Sequence, residues 1–156
     1  MDAKHTLTVL DRLASRRPGG ALRLEQAFSG RLERLATVAL DVAVETGDPI
    51  GRILADQLAT SECSELTLHL VELFESDTYQ FSVPLREAAL TATRKALVTR
   101  RLAWPHPTVD QQAELARLAH CLGRRMRDLG EFDEALEITR EAVEIRLAVM
   151  VQIEMF

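Results

Sequence analysis

The chain has 156 residues, 47% of them hydrophobic, 28% charged and only 4% aromatic, which describes a folded domain with a core of Leu, Ala, Val and Ile and excludes a disordered chain. Its net charge of −5 argues against a general nucleic-acid binder, because phosphates are neutralised by a basic surface. The opening MDAKHTLTVLDRLASRRPGG has no apolar signal core, and no run of about 18 apolar residues could span a membrane, so a cytoplasmic protein is expected.

Five prolines and seven glycines leave little punctuation, and no stretch alternates apolar with polar residues long enough for a half-buried strand. The fold class expected is all-α, with seven to eight helices in antiparallel hairpins. Leu7, Leu10, Leu13 and Ala14 recur at helical spacing over about 3–15, and Arg16-Arg17-Pro18-Gly19-Gly20 ends that helix. A helical run from Ala21 to Thr46 has a potential break at Gly30; its second half, LERLATVALDVAV, is apolar around most of its circumference and is expected to be central. Gly47 suits a C-terminal cap, with Asp48 as the N-cap and Pro49 as the first residue of the short helix IGRILADQLA.

Ser61 or Ser64 is expected to cap the next helix, whose buried stripe is Leu66, Leu70, Leu73 and Phe74. ESDTYQFSV (75–83) reads as a loop, and Ser82 with Pro84 starts a helix to about Leu102. AWPHP (103–107) forms a bend. Thr108 and Gln111 have the spacing of a capping box, in which each side chain satisfies the other residue's backbone N–H. The helix that follows runs to Leu129, Gly130 ends it, and the last helix begins near Asp133. Residues 1–80 form an N-terminal helical region and 81–156 a repeat region, in one continuous domain.

The second half contains an internal copy. REAALTATRKALVTR (86–100) aligns with DEALEITREAVEIR (133–146) so that Ala89, Thr93, Arg94, Ala96 and Arg100 match Ala135, Thr139, Arg140, Ala142 and Arg146, all at an offset of 46. Small residues seven apart let two helix backbones approach closely. Leu122, Gly123, Met126, Gly130, Phe132, Ala135 and Ala142 together resemble the small-and-large pattern of a tetratricopeptide repeat over about 115–149. Ala119, Met126 and Leu147 depart from that motif's frequent Trp, Tyr and Pro. The long connection WPHPTVDQQAELARLAHCLG is similar to that of kinesin-light-chain-like repeats. LVELFESDTYQFSVPLREAALTATRKAL resembles the segment leading into the repeats of large bacterial signal-transducing NTPases. The resemblance implies a stacked α-solenoid that binds a partner peptide or protein in a concave groove lined by first helices.

Catalytic signals are weak. No Gly-rich phosphate loop precedes a Lys-Ser/Thr pair. Glu65 and His69 stand one helical turn apart, but no second such pair completes a metal set, so neither a metal nor a cofactor is expected. His106 sits between two prolines in the bend, and Cys63 and Cys121, 58 residues apart, are expected to be buried thiols rather than a disulfide or zinc pair. No catalytic residue is assigned.

Two surfaces remain. On the helix 111–129, Leu115, Leu118, Leu122, Met126 and Leu129 form a core stripe, and Arg117, His120, Arg124 and Arg127 recur on the opposite side. Such a cationic ladder in an acidic protein suits an acidic segment or a C-terminal carboxylate. The ending LAVMVQIEMF carries Val149, Met150, Val151, Ile153, Met155 and Phe156, an apolar surface expected to be covered by a following helix, by a two-fold contact with another subunit, or by packing on the preceding helix. The function expected is that of a non-catalytic interaction module. The alternatives are a sensor or linker segment of a signalling NTPase system and a small helical ligand-binding or enzyme bundle.

Overall fold

The computed structural model describes residues 2–47 and 49–155. Among them the chain forms eight α-helices and no strand: α1 (Ala3–Ala14), α2 (Gly20–Phe28), α3 (Leu32–Thr46), α4 (Ile50–Thr60), α5 (Ser64–Phe74), α6 (Arg86–Ala103), α7 (Val109–Asp128) and α8 (Phe132–Glu154). A single 3-10 turn, Val83–Leu85, leads into α6. The helices belong to two compact units, one up to Ala92 and one from Thr93, with α6 running through the division.

In the first unit α3 occupies the centre, as its apolar circumference predicts: Ala36, Ala39, Leu40, Val42 and Ala43 are all fully buried. Leu24, Phe28, Ile50, Leu54, Leu58, Leu70 and Phe74 are fully buried as well. The helical run 21–46 does divide at Gly30, which takes the left-handed φ of 67° that a side chain would resist.

Asp48 lies outside the described residues, and Pro49 occupies the N-cap position of α4 rather than its first turn. The first amide of that helix is served from elsewhere. Asp11, buried on α1, accepts a hydrogen bond from the Ile50 N–H at 2.9 Å, so a carboxylate 39 positions away caps the positive end of α4. One residue further on, a Cβ built on Gly51 would lie 2.0 Å from the Pro84 carbonyl oxygen. No larger residue fits between α4 and the turn before α6.

Helix α5 departs from expectation at both its cap and its buried face. Neither Ser61 nor Ser64 caps it; the Cys63 sulfur accepts from the Leu66 N–H at 3.5 Å. Buried residues are Thr67, Leu70, Val71 and Phe74, while Leu66 and Leu73 are only half-buried. Thr67 can turn inward because its hydroxyl donates to the Cys63 carbonyl oxygen at 3.0 Å, which removes the cost of burying it.

In the second unit α7 and α8 form an antiparallel hairpin. Both arms of the expected capping box exist: the Gln111 N–H donates to the Thr108 hydroxyl at 3.3 Å, and the Thr108 N–H donates to Gln111 Oε1 at 2.9 Å. Gly130 turns the chain at φ 83°. There the Glu131 N–H bonds the Met126 carbonyl at 2.9 Å and the Gly130 N–H bonds that of Arg127 at 3.0 Å, closing the end of α7. Ala116 and Ala119 on α7 and Ala135 and Ala142 on α8 are buried. A Cβ on Gly123 would meet the Thr139 hydroxyl at 2.4 Å and the Ala135 carbonyl oxygen at 3.2 Å, so this glycine sets the helix separation. The part of α6 from Thr93 on is joined to this hairpin by ion pairs from Arg94 to Glu131 and from Arg101 to Glu141, and Arg100 of α6 lies 4.7 Å over the ring of Trp104 in the bend that follows.

Candidate functional site

The close approach at Gly123 has a consequence on the surface. With only Gly123, Ala135 and Thr139 between the helices, larger side chains on either side stand up as banks around a groove of about 320 Å³. His120, Arg124 and Arg127 of α7 make one bank, and Phe132 and Leu136 of α8 the other. Helical spacing puts the three α7 residues on one line, at steps of four and three. His120 and Arg127 are exposed and Arg124 is half-buried. Arg127 has the Asp128 carboxylate 3.9 Å away. The result is an apolar channel with a cationic edge.

Arg117, the fourth member of the expected ladder, does not line the groove. Its guanidinium is held by Glu114 through bonds of 2.9 and 3.0 Å within the same helix, because a carboxylate three residues earlier is its nearest neighbour on the surface. The core stripe opposite is as expected at Leu115, Leu118, Leu122 and Met126, all buried, with Leu129 half-buried. Arg125 is a basic residue that the ladder passes over. It is buried near the C-terminus of α7, where the helix dipole favours a cation.

The C-terminal residues divide between two surfaces. Val149 is buried on the side of α8 that also carries Ala135 and Ala142, whereas Met150, Val151, Ile153 and Met155 are exposed, Met155 by 75%. Phe156 lies outside the described residues. Phe132 and Leu136 were not expected as surface groups, yet they are 66% and 51% exposed. Their signal was available in the spacing of Phe132, Leu136, Val143, Leu147 and Met150.

Other candidates stay apart. Glu65 and His69 are exposed on α5, and His106 is exposed in the bend. Cys63 is half-buried at its cap and Cys121 is buried, and neither is in a disulfide. Among the described residues no three His, Cys, Asp or Glu side chains are grouped to hold a metal ion, and no helix is long and apolar enough to cross a membrane. No family model matches the chain, and neither does any curated protein or solved structure.

Proposed function

We propose that the protein is a non-catalytic interaction module whose α7–α8 groove receives an acidic, amphipathic segment of a partner chain. The observation that carries this reading is the pairing, in one groove, of the bank formed by His120 and the cations Arg124 and Arg127 with the exposed apolar bank Phe132 and Leu136. Apolar side chains of a bound segment would be covered by Phe132 and Leu136, while its carboxylates meet forked guanidinium donors. A surface with both features discriminates by charge pattern as well as by burial.

The same reading makes α7 and α8 a tetratricopeptide-like hairpin and α6 the second helix of a preceding copy. Support comes from the buried pairs Ala89 with Ala96 and Ala135 with Ala142. Stacking of such units into an α-solenoid in the cytoplasm is part of the proposal.

Replacing Arg124 and Arg127 together by Glu tests it. Proteins retained by the wild-type chain on an affinity matrix should be lost by the variant, and the thermal melt should stay nearly unchanged because neither side chain belongs to the apolar core. Equal retention by both forms would defeat the reading.

A further inference from the structure

The apolar bank of the groove is the start of a longer feature. Phe132, Leu136, Val143, Leu147 and Met150 are all about half or more exposed, and their steps of 4, 7, 4 and 3 place them in one line along α8. Ala135, Ala142 and Val149, the residues turned inward, lie about a third of a turn away. An exposed apolar stripe of this length marks an interaction surface. Its two borders carry opposite charge. Beside α7 stand His120, Arg124 and Arg127, joined by Arg146 of α8 itself. Along the far border stand Asp133, Glu137 and Glu144, with Arg140 the one cation among them; all of these α8 residues are exposed.

We infer that this face binds a second copy of the chain, with the two α8 helices side by side and parallel about a two-fold axis. The inference rests on the reading of the groove given above and makes the acidic border of the second copy its occupant. Symmetry decides the orientation. A two-fold axis along the helices turns the basic border of each copy onto the acidic border of the other. An axis across the helices would set basic against basic and acidic against acidic, and like charges brought together in an interface are costly.

The heights agree with the parallel arrangement, in which residues of equal height face each other. Gly123 is level with Ala135 and Thr139, where its Cβ would touch, so in an antiparallel hairpin Arg127 stands near the height of Asp133 and Arg124 near that of Glu137. The stripes then meet residue on residue, Val143 against Val143 and Leu147 against Leu147.

Sedimentation equilibrium and light scattering on the full chain test this. The wild type should show twice the 17.4 kDa chain mass. R124E with R127E should weaken the dimer about tenfold or more, and so should D133R with E137R. All four substitutions together restore opposite borders and should restore the dimer, which also shows that the reversed chains fold. In a Cys63→Ser background, Leu136→Cys and Met150→Cys should each cross-link to itself on oxidation, because equal positions face each other. A monomeric wild type, a dimer indifferent to the reversals, or cross-links only between positions 136 and 150 would overturn the inference. A monomer whose protein capture still depends on Arg124 and Arg127 would remove the second copy and leave the groove reading intact. A dimer that behaves as described, with capture of other proteins indifferent to those arginines, would leave the second copy as the occupant of the groove and remove any other.

Discussion

Asp11 illustrates how one side chain can hold two helices. It is 1% exposed on α1, and its carboxylate serves the Ile50 N–H at the start of α4. Asp11→Ala leaves that buried amide without its acceptor, and a loss of about 1–3 kcal/mol is expected in urea unfolding followed by circular dichroism. Tyr79 offers a second test. Its hydroxyl donates to Asp41 Oδ1, and burial first, then that hydrogen bond and the Asp41 charge, push its pKa up to about 12 from an ordinary 10.0. The folded state therefore favours the protonated phenol. Its contribution to stability is complete below pH 10.0 and is lost as pH rises towards 12. Tyr79 is the one tyrosine of the chain, so phenolate absorbance should titrate with a single high midpoint in the folded protein, and Tyr79→Phe should remove this component of the alkaline stability loss. Neither partner could be read from sequence, because both bonds join residues 38 or 39 positions apart.

At the scale of the element, helix limits were legible at several places where their cause was local, though the Cys63 cap of α5 was not. The Thr108–Gln111 box, the turn at Gly130 and the break at Gly30 all follow from side-chain reach and backbone freedom within a few residues. Gly123 was legible in kind, as a small residue between helices, and its geometry gives that expectation a magnitude. Gly123→Ala drives a Cβ to 2.4 Å from the Thr139 hydroxyl and 3.2 Å from a backbone carbonyl. Helix propensity favours Ala by up to about 1 kcal/mol, but overpacking costs about 1–3 kcal/mol. The expected net result is destabilisation, with a lower midpoint of Trp104 fluorescence in denaturant. A compensating Thr139→Ala, which removes that hydroxyl, should recover part of it. Face assignments were less secure than limits. α5 rotates its buried stripe onto Thr67 and Val71 because a bonded threonine can enter a core.

For the whole molecule the telling property is the arrangement of charge rather than its sum. A chain of net −5 carries a cationic edge along the α7–α8 groove and an acidic border beyond the α8 stripe. Contacts built on such exposed charges weaken with salt, and at about 1 M the Debye length falls to about 3 Å. Binding by the groove should therefore fall steeply between low salt and about 1 M, measured as retention on an immobilised chain, while apolar contacts alone would hold or strengthen. Composition and periodicity by themselves determined an all-helical chain, the breaks between its helices, the α7–α8 hairpin and the line of cations on α7, because each depends on neighbours within a few turns. Tertiary structure alone decided that Asp11 caps a distant helix, that Gly51 must admit the Pro84 carbonyl, and that the stripe of α8 stays open. The helix period limits which residues share a face. Which face is covered depends on the helices packed against it, and many of those come from far along the chain.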